Sequence, residues 1–178
     1  MTEQIIIAGS GGQGVMLLGK VLAQAAMLEG RQVTWFPAYG AEVRGGTSYC
    51  MVIIADQAIG SPYVTAADTL IVLNLPSLEK FKSRLKTKGL LILNSSLAQM
   101  SGEDKTGVWQ FPFTDIAINL GNIKVANMVA LGCYAAAKNI VKVKNILEVF
   151  KSIAPAGNSG ILEINQRALA EGQKLNKG

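Results

Sequence analysis

The sequence predicts an α/β protein, a three-layer sandwich with a mainly parallel sheet, open to a mixed order, and a helical C-terminal third. Three observations carry this. Short β-branched runs alternate with helical spacing over the first 94 residues. The first strand runs straight into a glycine cluster and then a helix. After Phe113 only helical spacing is found. The 178 residues suit one domain over 1–178, with core enough to need no disulfide or metal.

Gln4 to Ala8 is a continuous apolar run, the mark of a strand buried on both faces. Gly14 to Gly30 reads as a helix. Val15, Leu18, Leu22, Ala25 and Ala26 line one face, and Gly30 suits its C-terminal stop. Gln32 to Phe36 is a second strand, closed by Pro37. A glycine-rich loop, Tyr39 to Thr47, leads into a third strand at Ser48 to Ala55. Thr69 to Leu73 and Gly89 to Asn94 follow as strands, with a short helix at Leu78 to Leu85 between them, and Val108 to Phe111 is the candidate sixth. Thr114 to Leu120, Val125 to Lys138, Val143 to Ile153 and Ile161 to Leu175 are helical.

Composition narrows the chemistry. Histidine is absent, which excludes His-ligated zinc or haem, a Ser-His-Asp triad and a Cys-His dyad within this chain. Two cysteines, Cys50 and Cys133, cannot supply a four-thiolate cluster, and both read as packing residues. No metal site and no cluster is expected. Dispersed cysteines and no signal-peptide pattern point to a cytoplasmic protein. No run reaches the roughly 18 apolar residues of a membrane span. Hydrophobic residues make up 49% and charged residues only 16%, so apolar surface is expected to be buried against other subunits as well as inside the fold. The net charge is +5, with cations gathered at Lys80, Lys82, Arg84, Lys86 and Lys88. Without interleaved aromatics beyond Phe81, that run argues for a solvated or subunit-facing surface rather than nucleic-acid binding.

The first candidate site is Gly9-Ser10-Gly11-Gly12-Gln13-Gly14. Its glycines match G-x-G-x-x-G between a strand and a helix, where backbone N–H groups can face an anion. A dinucleotide site also needs a carboxylate about 20 residues on. That position offers Val33, Thr34, Trp35, Phe36 and Pro37. The Gly-Lys-Ser/Thr ending of a phosphate-binding P-loop is missing too. Three readings stay open: a packing turn without ligand, a turn approached by a phosphate or a partner's cofactor region, and a stand-alone Rossmann-like nucleotide enzyme or sensor.

The second candidate is the loop Pro37 to Ser48, where Tyr39, Glu42 and Arg44 stand among small residues, with Gly45 and Gly46 at its end. Glu42 and Arg44 are placed to pair with each other or to reach across an interface. Otherwise they form a surface ion pair worth under about 1 kcal/mol. Asn127 stands at a helix start, as a cap worth about 1 kcal/mol or another structural hydrogen bond, or else as an interface hydrogen-bonding group.

Four segments in order, Gly11 to Val15, Tyr39 to Gly46, Ile59-Gly60-Ser61-Pro62 and Asn127 to Gly132, resemble the gamma subunit of 2-oxoacid:ferredoxin oxidoreductases. The likeness spans nearly the whole chain. The Gly45-Gly46-Thr47-Ser48 ending resembles the 2-oxoglutarate branch more than the pyruvate branch. The resemblance implies a complex that oxidatively decarboxylates a 2-oxoacid, forms its acyl-CoA and reduces ferredoxin or flavodoxin. It places thiamine diphosphate, magnesium and iron–sulfur clusters on alpha, beta or delta partner subunits, with coenzyme A as co-substrate. This chain is then expected to bind no cofactor alone and to carry no catalytic residue. Its role would be to complete the assembly and to shape access for substrate and coenzyme A. Gly9, Gly11, Gly12, Gln13 and Gly14 are the expected phosphate or partner contacts, and Tyr39, Glu42, Arg44, Gly45 and Gly46 the interface or substrate-access loop.

Overall fold

The computed structural model describes residues 1–39, 47–100, 107–153 and 159–175, excluding the Tyr39 side chain. Six strands form one sheet: β1 Thr2–Ser10, β2 Gln32–Tyr39, β3 Thr47–Ala55, β4 Ala67–Val72, β5 Leu85–Asn94 and β6 Val108–Phe111. Their order is β2-β3-β1-β4-β5-β6. β1, β4, β5 and β6 are parallel, and β3 runs against both β1 and β2. The sheet is therefore mixed, with β3 as its one reversed strand among the described residues.

Among the described residues six α-helices flank the sheet: α1 Val15–Met27, α2 Leu75–Phe81, α3 Phe113–Asn119, α4 Ala126–Lys138, α5 Val143–Ile153 and α6 Ser159–Lys174. Side chains alternate across each strand and so build two cores. Ile5, Ile7, Val52, Ile54, Ile71 and Ile92 face α1 and the C-terminal helices. Ile6, Ala8, Met51, Leu70, Val72, Leu91 and Leu93 face α2 through Leu78 and Phe81. The three layers are thus unequal. One face carries most of the helices, and the other carries a seven-residue helix and the chain around Ile59 and Val64.

Several strand and helix ends differ from the sequence reading, as at β1, β4 and β5, and three differences have a clear local reason. β2 continues through Pro37 to Tyr39, because it is a sheet-edge strand and an edge tolerates a residue without N–H. α2 starts at Leu75 rather than Leu78. The Asn74 side chain accepts from Ser77 N at 3.1 Å, and Pro76 lies in the first turn, where a missing N–H costs little. α1 ends at Met27, and Gly30 follows at φ +74°, a left-handed conformation that glycine takes without strain.

α4 and α6 cross at a glycine pair. A Cβ on Gly132 would fall inside the Leu169 carbonyl oxygen, and one on Gly172 inside the Val129 carbonyl oxygen. Backbone therefore rests on backbone, and α6 is drawn onto α4 through Ala168 and Leu169.

Candidate functional site

The strand β1 ends on the glycine turn, and the turn's geometry divides its residues into two groups. Gly9 is buried. A Cβ there would meet Gln13 Oε1 at 2.7 Å, Val15 at 3.0 Å and Leu73 at 3.2 Å, so Gly9 serves packing. Gly11 and Gly12 are exposed, with nothing within 4 Å of a Cβ, and Gly12 takes φ +87°. These two leave the backbone open to an approaching group. Gln13 closes the turn: Ser10 N donates to its Oε1 at 2.7 Å, and its Nε2 donates to Leu73 O at 3.3 Å.

Gly14 precedes α1 at φ +72°, and its carbonyl accepts from Leu18 N at 2.9 Å. It also accepts from Asn127 Nδ2 at 3.2 Å. This corrects the capping role expected of Asn127. α4 begins at Ala126, its preceding residue Val125 makes no side-chain cap bond, and Asn127 lies within the first turn. Its amide reaches the first glycine turn instead, joining two of the segments that carry the family resemblance.

The chain leaves β1 toward α1 on one face and leaves β4 toward α2 on the other. This divergence makes a crevice at the carboxyl ends of the two strands, the usual ligand position in open α/β sheets. A cavity of about 180 Å³ lies there, lined by Gly12, Gln13, Leu73, Asn94, Leu97, Thr114, Ile123, Lys124 and Ala126. Its polar floor is bonded to itself. Asn94 Nδ2 donates to Leu73 O at 3.2 Å and to Thr114 Oγ1 at 2.8 Å, while Thr114 N donates to Asn94 Oδ1 at 3.3 Å. The walls are aliphatic, and Leu97 and Ile123 are 48% and 56% exposed at its margin. Lys124 stands at the rim with no carboxylate partner among the described residues. An apolar crevice with one cation and a wall of exposed glycine backbone at Gly12 suits an anionic group on an apolar arm.

Sequence reasoning missed Asn94, Thr114 and Lys124. Asn94 ending a strand is a faint signal, and nothing local marks Lys124. At the second loop, Tyr39 pairs with Ser48 and Thr47 pairs with Ser10. The loop therefore departs from and returns to the sheet end that carries the glycine turn. Glu42, Arg44, Gly45 and Gly46 lie outside the described residues, as does the Tyr39 side chain.

The basic run is partly occupied by structure. Arg84 donates to the carbonyls of Thr65 and Val64 and lies over the Tyr63 ring, while Lys86 pairs with Asp68 at 2.7 Å. Both cysteines are buried, and desolvation pushes each thiol up to about 12. Among the described residues no group of three His, Cys, Asp or Glu side chains is placed to hold a metal. No helix among them is long and apolar enough to cross a membrane.

The fold and crevice define an α/β chain built on a mixed doubly wound sheet, with its candidate site at the strand carboxyl ends. The chain belongs to the pyruvate ferredoxin/flavodoxin oxidoreductase family, which it matches over residues 4–175. It is 39% identical over 170 residues to ketoisovalerate oxidoreductase subunit VorA of Methanothermobacter thermautotrophicus, covering 95% of this chain and 35% of that one. The chain thus spans about a third of the length of the VorA relatives. It is 31% identical over 181 residues to 2-oxoglutarate synthase subunit KorC of Methanocaldococcus jannaschii, covering 99% and 95%. Among solved structures, the gamma subunit of keto/oxoacid ferredoxin oxidoreductase from Geobacter sulfurreducens superposes with a TM-score of 0.86 at 29% identity, covering 98% and 96%.

Proposed function

We propose that this chain is the gamma subunit of a 2-oxoacid:ferredoxin oxidoreductase and that it shapes the passage by which coenzyme A reaches the active centre. The observation that carries the reading is the crevice at the carboxyl ends of β1 and β4. There the exposed Gly12, beside Gln13, lines an aliphatic cleft with Lys124 on its rim. A phosphate group of coenzyme A is the anion, and its flexible arm suits the aliphatic walls. The second loop leaves and re-enters the sheet at that same end, through Tyr39 and Thr47, and in this reading its Tyr39, Glu42 and Arg44 contact a partner subunit or the 2-oxoacid. β2 itself, Gln32–Tyr39, carries no carboxylate for the ribose of a dinucleotide, which weighs against a self-sufficient nucleotide enzyme.

2-Oxoglutarate is the proposed 2-oxoacid. Relatives named as 2-oxoglutarate synthase subunits match this chain over nearly their whole length. A 2-oxoglutarate:ferredoxin oxidoreductase from Magnetococcus marinus, of the same fold at 23% identity, is described with 2-oxoglutarate, coenzyme A and succinyl-CoA bound. Thiamine diphosphate, magnesium and iron–sulfur clusters belong to alpha, beta or delta partners in this reading, and the isolated chain is inactive.

The test is reconstitution with the neighbouring gene products. Coenzyme A-dependent ferredoxin reduction should require this chain and should proceed faster with 2-oxoglutarate than with pyruvate or 2-oxoisovalerate. Turnover by the lone chain, or full activity of the partners without it, overturns the assignment. Faster turnover with another 2-oxoacid overturns the substrate alone.

A further inference from the structure

The crevice has two walls from distant parts of the sequence. Gly12 and Gln13 form one, and Ile123, Lys124 and Ala126 form the other. Among the described hydrogen bonds, one joins the glycine turn to the start of α4, from Asn127 Nδ2 to Gly14 O at 3.2 Å across 113 residues of sequence. The Gly14 carbonyl already accepts from Leu18 N at 2.9 Å. The Asn127 bond is therefore not needed to satisfy that carbonyl; its effect is to place the turn relative to α4. The two residues are also shaped for each other, because a Cβ on Gly14 would overlap the Asn127 amide. Asparagine is a poor helix former, and Asn127 is 2% exposed, so its position is favoured by what it binds rather than by the helix.

We infer that Asn127 is a positioning residue that sets the width of the crevice between Gly12 and Lys124, and so the fit of the anionic co-substrate proposed for it. It touches the turn and not the ligand. The inference rests on the coenzyme A reading of the crevice, and its test separates the two.

The assembled complex carrying Asn127→Ala is compared with the unchanged complex in two measurements. Amide exchange is read at Ser10, Gln13 and Leu18, whose N–H groups bond within the turn or to Gly14. Steady-state turnover is read against coenzyme A concentration. Exchange at these three amides should rise. The KM for coenzyme A should rise about tenfold, with kcat changed less than about twofold, because a misplaced wall weakens binding without touching the reacting atoms. Should Asn127→Ala fold poorly, Asn127→Asp keeps the shape, removes the donor and carries the same expectation. Unchanged exchange at the turn overturns the positioning role. Raised exchange with an unchanged KM leaves Asn127 holding the turn but overturns its effect on the co-substrate, and the coenzyme A reading falls separately if a Lys124→Ala complex also keeps the parent KM for coenzyme A. Equal losses in kcat and kcat/KM also overturn the inference.

Discussion

Gly132→Ala tests the helix crossing most sharply. The new methyl group would sit about 1 Å inside ordinary contact with the Leu169 carbonyl oxygen, and 3.0 Å from Gln173 N. Both are backbone atoms of α6, so no rotamer change relieves the overlap and the helix must retreat. Overpacking of this kind costs about 1–3 kcal/mol, and the rigid neighbour argues for the upper half. Alanine returns up to about 1 kcal/mol as a better helix former than glycine. The net expectation is a loss of about 2 kcal/mol, or about 4–8 °C in Tm for a chain of this size. Thermal melting and urea unfolding of the purified chain measure it. Gly172→Ala should cost a similar amount because its clash, with the Val129 carbonyl oxygen, is reciprocal. The double variant should lose less than the sum, since one retreat serves both methyl groups. A Gly132→Ala chain as stable as the original would refute the close crossing.

Three further outcomes follow from the site. Gly14→Ala combines φ +72° with overlap on the Asn127 amide and should cost about 2 kcal/mol in urea unfolding, whereas Gly11→Ala, in open space, should stay within about 0.5 kcal/mol. Equal costs would remove the distinction between the closed and open parts of the turn. Asn94→Leu strands the Thr114 hydroxyl and N–H, leaves the Leu73 carbonyl to Gln13 alone, and should destabilise by about 2–3 kcal/mol, with a melt near that of the parent counting against the bonded floor. The buried cysteines should resist thiol reagents at pH 8 in the folded chain and react on unfolding. Burial holds both at about 12, above the ordinary thiol value of 9.0. The unfolded state therefore releases protons first, and stability is present below pH 9 and falls as pH rises from about 9 to 12. A stability flat across that window in parent and Cys50→Ala alike would count against it.

Most strands were legible because they are buried runs. Ile5, Ile6, Ile7 and Ala8 stand together without a polar break, and such a run is hard to mistake in an α/β chain. Strand direction was not legible from the runs themselves. The one available sign was the short connection from Tyr39 to Thr47, too brief for the crossover that a parallel pair needs. At the site, the glycines announced a turn, but their division into packing and open positions depends on Gln13, Val15 and Leu73 arriving from three directions. Asn127 was readable as a cap, a structural bond or an interface group, but its partner Gly14 was not, since it lies 113 residues away. Lys124 carries no local sign at all, because its place at the crevice is created by the packing of α4 on the sheet.

Had β3 run alongside its neighbours, a crossover of a dozen or more residues would have been required between it and β2, and the chain would have had to travel the full height of the sheet before re-entering. The reversal keeps that journey short. Two distant stretches of the polypeptide come to share one frontier, Ser10 beside Thr47 and Gly9 beside Ser48, so whatever docks on the first bend also meets the start of β3.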